Sequence, residues 1–550
     1  MSRLEWNDLG GLTDEQVAAI VGPGAPFEMG PDTIGTRRVT SFVRRPANLV
    51  AALDESVAKR GDLVIFVDGD RTWTLSEAAT DIGRIARVLV DDYGIVPGDR
   101  VGIVAANSAE YALTMWAIVS IGAICTGLNG WWTPVELARG LDLVGAKVVF
   151  GDERRLASAA AANADNIPMR QLDDVYAQAR SVAPLPANER PPVDEDDPAI
   201  ILFTSGTTGF AKGATLSHRG LVCFAQIMQL MSAIGMARAG RTSAPQPASI
   251  LVGPMFHISG LSGSMLVGPL GGTKQVISPP GKWEVERQLA LTQDHRITGW
   301  TCVPTQLWRV VNFPGLDDYD TSSLATINCG GSTFAPDLIR AFHERFPNVL
   351  LSNGYGMSES SGAGTRFSGA ALLDHPTAVG AVNATIEIEI RDDEGRVLPQ
   401  GDVGEIYVRS PCVFLGYWND DEATKMSVSD DGWYRTGDYG RVEADLLYLE
   451  SRIRDMIIRG GENIYPIEIE NRLVEHPDIA DAGVAGVDHP ELGQEVKAFV
   501  VMCAGATLDA AAVQEWARGG LAAYKVPAHV AFVDELPYND TGKLVRQKLL

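Results

Sequence analysis

The sequence predicts an α/β fold: a large N-terminal domain of layered α/β subdomains with a small antiparallel β unit, then a small C-terminal α+β domain. Three observations support this prediction. Strand-like and helix-like segments alternate from Leu63 onward and again from about Ala199 to Tyr355, which is typical of layers around a largely parallel sheet. Short strands between Gly and Asp turns follow Val379 and indicate the antiparallel unit. The last segment, about 95 residues long, has the size of a small domain.

The first alternating segment begins with an apolar, β-branched and aromatic run from Leu63 to Val67, which predicts a strand. Thr74 and Glu77 have the spacing of a capping box and predict the start of a helix. A second strand is expected over Arg100–Ala105, and a second helix after Asn107. This order of elements is that of a layered α/β domain.

The stretch from Tyr111 to Val135 contains no charged residue. A membrane span would explain this composition, and so would a buried helix followed by a buried strand. Several glycines and Pro134 interrupt the stretch, and residues 107–110 have the pattern of a helix start. These interruptions favour the buried helix and strand, so no transmembrane segment is expected.

The later elements are shorter. The antiparallel unit is expected to contain strands over Thr385–Arg391, Glu405–Arg409 and Leu446–Leu449. The C-terminal unit is expected to contain a helix over Ile467–Glu475, strands over Ala482–Val487 and Val496–Met502, and a helix over Ala510–Ala517.

Composition limits the classes of function. The 550 residues include 45% apolar residues, and a chain of this length normally forms at least two domains. Asp and Glu total 70 against 46 Lys and Arg, so the net charge of −24 argues against a nucleic-acid partner and against electrostatic binding to anionic lipid. The six cysteines form no CxxC pair and the N-terminal residues form no secretory signal, so a cytoplasmic protein is expected.

Residues 204–212, TSGTTGFAK, have the composition of a phosphate-binding loop. Gly206 and Gly209 allow close approach of the backbone, and Lys212 adds a positive charge. The spacing differs from Walker A, which disfavours a P-loop kinase or GTPase, and a flexible surface loop would also fit the composition. The side chains that can donate hydroxyl hydrogen bonds are those of Thr204, Ser205, Thr207 and Thr208.

Five further segments follow this loop: GPMFHISG (253–260), NGYGMSE (353–359), YRTGD (434–438), SRIRDMIIRGGENIYPIEIE (451–470) and NDTGK (539–543). In this order the segments resemble the adenylate-forming superfamily of acyl-CoA and aryl-CoA synthetases, luciferases and nonribosomal-peptide adenylation domains. The resemblance covers the chain roughly from Ala51 to the C-terminus. It implies an N-terminal AMP-binding domain over 1–453 and a mobile C-terminal domain over 454–550, with a hinge at Arg454.

The resemblance implies an AMP-forming acid–thiol ligase that uses ATP, Mg²⁺ and coenzyme A. A carboxylate attacks the α-phosphate of MgATP to give acyl-AMP and pyrophosphate, and the thiol of coenzyme A then displaces AMP. An acyl-AMP ligase that loads a carrier protein is an alternative. A non-catalytic acyl-nucleotide-binding protein is a third reading, but it would have lost Lys212, Glu359, Asp438 or Lys543, and all four are present.

The resemblance also assigns the nucleotide contacts. Tyr355 would lie against adenine, Asp438 would accept hydrogen bonds from the ribose hydroxyls, and Arg452 would contact the ribose or a phosphate. A turn aspartate is the alternative reading of Asp438. The full set of ATP and AMP contacts is Thr204, Ser205, Gly206, Thr207, Thr208, Gly209, Lys212, Gly331, Ser332, Thr333, Asn353, Gly354, Tyr355, Gly356, Ser358, Asp438, Arg452 and Lys543.

Four positions depart from the usual residues of the family. Ala211 and Thr333 each stand where the family often has proline. The departure at Thr333 leaves its contact with adenine open. Ser358 stands where threonine is frequent and keeps the hydroxyl. Arg454 stands at the hinge position where Asp or Lys is usual.

The catalytic residues implied by the resemblance are Lys212, His257, Glu359 and Lys543. Lys543 would neutralise charge in the first half-reaction, although a solvated lysine is the alternative. His257 would lie between the acyl group and the phosphates, although a buried core histidine is the alternative. Glu359 would bind Mg²⁺ together with Thr208. The coenzyme A channel would pass Gly460, Gly461 and Glu462.

The acid is the least determined part of the prediction. The small residues over 360–364 suggest a roomy tunnel for a medium-chain, long-chain or bulky aliphatic acid, including a polycyclic one, and hence a role in fatty-acid or lipid metabolism. An aryl acid stays open. Further pocket residues are expected over 257–263 and 300–308 and at Cys329. The sequence leaves the oligomeric state open, with a homodimer as one option.

Overall fold

A computed structural model describes residues 3–5, 9–162, 167–205, 211–242, 244–330, 336–369, 371–452, 455–459, 462–490, 492–521, 523–538 and 544–550. Over these residues the protein is a mixed α/β structure with a large N-terminal part and a small C-terminal part, which confirms the predicted fold class.

The strands in chain order are β1 (Arg3–Glu5), β2 (Met29–Ile34), β3 (Arg37–Phe42), β4 (Val64–Asp68), β5 (Arg71–Thr74), β6 (Arg100–Val104), β7 (Ile124–Gly127), β8 (Val148–Gly151), β9 (Met169–Gln171), β10 (Pro198–Ser205), β11 (Ala211–Ser217), β12 (Ala248–Leu251), β13 (Lys274–Ile277), β14 (Gly299–Cys302), β15 (Thr326–Cys329), β16 (Leu350–Gly356), β17 (Gly364–Ser368), β18 (Ala378–Val382), β19 (Glu387–Arg391), β20 (Gly404–Arg409), β21 (Gly416–Tyr417), β22 (Tyr434–Glu443), β23 (Leu446–Arg452), β24 (Ile457–Arg459), β25 (Glu462–Ile464), β26 (Ile479–His489), β27 (Gly493–Met502) and β28 (His529–Phe532).

The helices are α1 (Asp14–Val21), α2 (Leu49–Arg60), α3 (Leu75–Asp91), α4 (Ala109–Ser120), α5 (Pro134–Val144), α6 (Glu153–Ala162), α7 (Leu172–Ala179), α8 (His218–Arg238), α9 (Ile258–Leu261), α10 (Val285–His295), α11 (Pro304–Val311), α12 (Pro336–Arg345), α13 (Ala371–Asp374), α14 (Asp421–Ser427), α15 (Pro466–Val474) and α16 (Ala510–Arg518). The capping box predicted at Thr74 and Glu77 is present at the start of α3.

Two sheets form the large N-terminal part. One has the strand order β21-β11-β10-β7-β6-β8-β9 and is parallel from β10 to β9. The other has the order β1-β19-β20-β22-β23-β18-β17-β16-β15-β14-β12-β13-β4-β5 and is parallel from β16 to β4. The alternation of strands and helices therefore builds the expected layers, because parallel neighbours need a crossover connection.

The three predicted antiparallel strands form as β19, β20 and β23, and β22, which was not predicted, lies between β20 and β23; together they are not a separate unit. Strand β18 pairs with β17 on one side and with β23 on the other, and both pairings are antiparallel. The antiparallel strands therefore continue the large sheet. A local pattern of short strands and turns contains no information about this distant pairing.

The uncharged stretch is buried within the N-terminal part from Tyr111 to Leu128, with Gly122 partly exposed, and its last residues, 131–135, are largely exposed. Every residue of α4 is buried, including Tyr111 and Trp116, and β7 lies between β6 and β10 in the sheet. This confirms the buried helix followed by a buried strand. Among the described residues one helix, α8, is long and apolar enough to cross a membrane by length and composition, and 56% of its most apolar window is buried.

The C-terminal strands have the order β25-β24-β27-β26, and β28 pairs with β27. Apolar side chains of α15 and α16, including Leu473 and Val513, pack with those of the strands in one buried cluster. The predicted helices and strands of this unit are therefore present. The boundary at 453/454 stays a prediction, because both residues lie outside the described part of the chain.

His218, the first residue of α8, predicts a pH dependence of stability. Its ring is fully buried, and its Nδ1 accepts a hydrogen bond of 3.3 Å from the backbone N–H of Leu49. Burial lowers the pKa of His218 to about 4, although nearby Asp197 opposes the shift. Because the unfolded chain takes up the proton near pH ~6.5, the folded state should lose up to about 3 kcal/mol as the pH falls from ~6.5 to ~4.

We expect His218→Gln to remove this part of the pH dependence. The measurement is the thermal midpoint of parent and variant between pH 8 and 4, with His529→Gln as the control because His529 is exposed. Parallel midpoint curves for His218→Gln and the parent would contradict the prediction.

Candidate active site

A large cavity of about 2050 Å³ is lined by residues of both the N-terminal and the C-terminal part. Its lining includes Tyr355 and Asp438, the packed rings of Trp131 and Phe256, which we call the aromatic wall, and the ring of Trp308. Four of the segments that the sequence singled out, 253–260, 353–359, 434–438 and 451–470, thus contribute residues to one cavity.

Asp438 is held in place by its own strand, β22. Its backbone N–H donates to the hydroxyl of Thr436 at 3.0 Å, and that hydroxyl donates to the carbonyl oxygen of Ile406 at 2.8 Å. Gly437 has a φ of +73°, a left-handed conformation that glycine adopts without strain, and its N–H donates to Glu405 Oε1 at 3.2 Å. These contacts place Asp438 within a strand rather than in a turn.

Asp438 and Tyr355 are in direct contact. The Tyr355 hydroxyl donates to Asp438 Oδ2 at 2.8 Å, and each residue is only 9% exposed. Arg452 lies opposite Asp438 in the pairing of β22 with β23. The fold therefore brings together three residues that the resemblance assigned to the nucleotide.

Lys212 and Glu359 are linked through Tyr417, a residue that the sequence analysis did not single out. The Tyr417 hydroxyl donates to Glu359 Oε1 at 3.1 Å, and Lys212 Nζ lies 4.8 Å from the centre of the Tyr417 ring. Burial, and next the negative charge of Glu359, raise the pKa of Tyr417 and also that of Tyr434. Both phenols therefore stay protonated near neutral pH. No local motif marks Tyr417, which reaches this position because β21 pairs with β11.

Lys212 lies on a strand, whereas the sequence predicted one continuous loop over 204–212. Thr204 pairs with Lys212 and Ser205 pairs with Ala211 in the antiparallel pairing of β10 with β11. The loop is therefore shorter than predicted, because strand pairing extends to both of its ends.

Gly354 and Gly356, predicted to contact the nucleotide, lie with Asn353 on β16, where it approaches β17 closely. A Cβ at Gly356 would collide with the carbonyl oxygen of Gly362, and one at Gly354 would lie 2.9 Å from that of Thr365. Glycine is thus required here by strand pairing. Ser358 begins the short 3₁₀ turn that includes Glu359.

The prediction that 360–364 forms a roomy tunnel is wrong for Gly364 and Gly362. A Cβ at Gly364 would collide with the carbonyl oxygen of Tyr355. Gly362 has a φ of +89°, and a Cβ there would lie 2.9 Å from Ile258 Cγ1 and 3.1 Å from Phe224 Cε1. Small residues occur here because the backbone is tightly packed.

The expected pocket over 300–308 is present in part. Trp308 is 46% exposed and lines the cavity, whereas Trp300 is buried in the core and its indole N–H donates to Thr292 at 2.9 Å. Cys329 is also buried, with its Sγ 3.2 Å from that of Cys302.

His257 adjoins the aromatic wall of the cavity. It precedes α9 and is half-buried, with its ring centroid 4.9 Å from that of Phe256 and 6.4 Å from that of Trp131. This environment differs from that of a fully buried core histidine. The wall itself was missed by the sequence analysis, because Trp131 and Phe256 are 125 residues apart in the chain and meet only in the fold.

Several predicted site residues lie outside the described residues, so their roles stay predictions. For Ser205, Arg452 and Glu462 only the backbone is described. The predicted residues that lie outside are Gly206, Thr207, Thr208, Gly209, Gly331, Ser332, Thr333, Arg454, Gly460, Gly461 and Lys543.

The chain matches two family models and is similar to known proteins. The model of the AMP-binding enzyme family matches residues 53–418, and that of the AMP-binding enzyme C-terminal domain matches residues 468–543. Feruloyl-CoA synthase of Amycolatopsis sp is 31% identical over 485 residues, which cover 87% of this chain and 93% of that protein. A methyl-dioxo-octahydroindenyl-propanoyl:CoA ligase of Mycobacterium tuberculosis is 31% identical over 516 residues, covering 91% and 97%. The ATP-bound structure of MatB from Rhodopseudomonas palustris matches with a TM-score of 0.79 at 30% identity, covering 92% and 98%.

The fold and the arrangement of Lys212, Glu359, Tyr355 and Asp438 define an adenylate-forming enzyme of the acid–thiol ligase class. The chain belongs to the AMP-binding enzyme family.

Proposed function

We propose that the protein activates a bulky hydrophobic carboxylic acid with MgATP and transfers the acyl group to coenzyme A. The observation that carries this proposal is the shared cavity, whose lining includes both the Tyr355–Asp438 pair and the exposed rings of Trp131 and Trp308. The nucleotide would bind at the pair and the acid at the aromatic side chains.

For the nucleotide, Asp438 would accept hydrogen bonds from the ribose and Tyr355 would pack against adenine. The hydrogen bond between them supports these roles, because it orients the carboxylate and the ring before the nucleotide binds. Lys212 would contact the phosphates, and Lys543 would stabilise charge on the α-phosphate. His257 would separate the acyl group from the phosphates.

For Mg²⁺, Glu359 is the proposed protein ligand. It is 8% exposed and accepts a hydrogen bond from Tyr417, so its carboxylate is oriented within the site. Mg²⁺ is usually held by one or two carboxylates together with phosphates and waters, and a single buried carboxylate beside a phosphate-binding strand fits this pattern. The bound ion would neutralise phosphate charge.

For the acid, the aromatic wall supports a substrate with a large apolar surface. Trp131 is 45% exposed and packs edge-on against Phe256 with 4.9 Å between ring centroids, and Trp308 is 46% exposed. Exposed aromatic rings around a cavity commonly mark a ligand site. A ring-bearing or long-chain acid would cover them, whereas a short acid would leave them in contact with water.

An aryl acid is the second candidate, and the aromatic wall also favours it through ring stacking. A relative named for feruloyl-CoA adds to this alternative. A panel of linear, polycyclic and hydroxycinnamic acids, assayed by AMP release that depends on coenzyme A, decides between the two. The same assay with a carrier protein in place of coenzyme A tests the alternative thiol acceptor. A cytoplasmic location and a role in lipid metabolism remain parts of the proposal.

Trp131→Ala tests the acyl wall. Because about half of this ring is already covered, the ligand should gain about 1–1.5 kcal/mol by covering the rest, so kcat/KM for the preferred acid should fall about 5- to 15-fold. The kcat/KM for a two- or three-carbon acid should change little. Val135→Ala is the control, because Val135 is 61% exposed and only four positions away. Equal losses for long and short acids would contradict the assignment of this wall to the acid.

A further inference from the structure

Arg546 connects three parts of the C-terminal unit. Its Nη2 donates to both carboxylate oxygens of Glu470, at 2.7 and 2.6 Å, which is a charge-assisted pairing. Its Nη1 lies 3.5 Å from Asp455 Oδ2, and its Nε donates to the carbonyl oxygen of Val484 at 3.2 Å. The side chains of Arg546 and Glu470 are only 16% and 14% exposed, so the pair is largely shielded from water.

The contacts of Arg546 join segments that adjoin two predicted site residues, Lys543 and Arg454. Arg546 is three residues after Lys543, and Asp455 directly follows the predicted hinge residue Arg454. Glu470 lies on α15 and Val484 on β26, so Arg546 is attached to the rigid core of the unit. The side chain of Arg546 therefore joins the flank at 544–546 to Asp455 and to the core of the C-terminal unit.

Both flanks of residues 539–543 are also held by backbone contacts. Tyr538 and Leu544 form an antiparallel bridge, and the N–H of Val545 donates to the carbonyl oxygen of Pro537 at 2.7 Å. The Tyr538 hydroxyl donates to Asp481 Oδ2 at 2.9 Å. The flanks of the segment line the large cavity together with Arg546 and Glu470.

Arg546 supplies the positive charge that stabilises the shielded carboxylate of Glu470. Burial raises the pKa of Glu470, and the positive charge of Arg546 is the main opposing influence. Glu470 also accepts a hydrogen bond of 2.8 Å from the N–H of Val484. Removal of the guanidinium would leave a shielded carboxylate without its cation, which is strongly unfavourable, and α15 and β26 would no longer hold the flank at 544–546.

We propose that Arg546, through Glu470 and Asp455, is a positioning residue for adenylation, because it anchors the flank at 544–546 that directly follows Lys543. The inference rests on the proposed function, because it assigns the first half-reaction to Lys543. Arg546 would not touch the substrate, and yet it would affect only adenylation, the first of the two half-reactions. A displacement of about 1 Å in a catalytic group can cost about 10²-fold in rate.

Arg546→Ala, Arg546→Lys and Glu470→Gln test the proposal, with Arg518→Ala as the control because Arg518 is exposed in the same unit and pairs only with Glu515 among the described residues. Two rates are measured by rapid quench: pyrophosphate release from acid and MgATP, and thioester formation from supplied acyl-AMP and coenzyme A. Arg546→Ala should slow adenylation about 10- to 100-fold and leave thioester formation within about twofold of the parent. Arg546→Lys should restore part of the adenylation rate, because lysine keeps the charge but lacks the three guanidinium nitrogens that reach Glu470, Asp455 and Val484.

A second measurement addresses the route of the effect. In a Lys543→Ala background, Arg546→Ala should slow adenylation by less than twofold, because the residue through which it acts is already missing. If Arg546→Ala does not fold, Glu470→Gln and Arg546→Lys are judged by the same two rates. Equal loss in both half-reactions, unchanged adenylation, or additive losses in the double variant would overturn the proposal.

The parent enzyme separates this inference from the proposed function. If the parent releases no pyrophosphate with any acid of the panel, the proposed function fails. If the parent is active and Lys543→Ala loses adenylation while Arg546→Ala keeps it, only the positioning role fails.

Discussion

Lys543→Ala is expected to lose adenylation by about 10²–10³-fold and to keep thioester formation from supplied acyl-AMP and coenzyme A. The positive charge of Lys543 would stabilise the α-phosphate while the carboxylate displaces pyrophosphate. This step belongs only to the first half-reaction. If the C-terminal unit rotates between the half-reactions, the lysine has left the site before the thiol attacks. Rapid-quench measurement of each half-reaction gives both rates.

Lys548→Ala is the matched control, because Lys548 is exposed and lies five residues further along the chain. Gly461→Leu is the reciprocal variant. It should form acyl-AMP and pyrophosphate and then stall, because a side chain would fill the channel for the thiol. A static site would impair both half-reactions in both variants. If Lys543→Ala loses thioester formation as severely as adenylation, domain rotation is wrong for this protein.

Lys212→Ala is expected to reduce kcat/KM for adenylation about 10- to 150-fold. A charged hydrogen bond to phosphate is worth about 1.5–3 kcal/mol, and this free energy converts to that range of rates. Lys212 Nζ also lies over the ring of Tyr417, whose hydroxyl binds Glu359, so the variant removes a cation close to the proposed metal ligand. Pyrophosphate release is measured at saturating and at limiting ATP, and again over a range of Mg²⁺ concentrations.

Lys425→Ala serves as the control for this variant, because Lys425 is exposed on α14. The phosphate-binding role would be refuted if pyrophosphate release were unchanged at both ATP concentrations.

The sequence predicted those parts of the fold that depend on neighbouring residues. The capping box at Thr74 and Glu77, the buried helix that includes Tyr111, and the C-terminal helices all follow from local spacing and hydrophobicity. The sequence did not predict that β18 joins the antiparallel strands to the large sheet. Pairing between distant strands depends on the whole fold, and local patterns contain little of that information.

The candidate site could likewise be predicted only where it depends on residues close together in the chain. Tyr355 and Asp438 could be named from their motifs, but the hydrogen bond across 83 residues of chain could not. Tyr417 and Trp131 stand in no motif and become visible only through their contacts with Glu359 and Phe256. Gly364 was misinterpreted, because a small residue indicates equally an open space or a close backbone approach, and only the positions of its neighbours distinguish the two.

The contact between Tyr355 and Asp438 shows that the large sheet is strongly curved. The two residues lie on β16 and β22, with β17, β18 and β23 between them, so a flat sheet would separate their backbones by four spacings of about 4.8 Å, or ~19 Å. A tyrosine and an aspartate cannot bridge that span, and their hydrogen bond at 2.8 Å therefore requires the sheet to curl strongly between them. Gly380 lies midway on β18 with a φ of +108°, and a Cβ there would collide with the backbone of Arg366. The pair of side chains that would receive the nucleoside is thus formed only because the sheet bends between their strands, and Gly380 is a strand position in that interval where glycine is required.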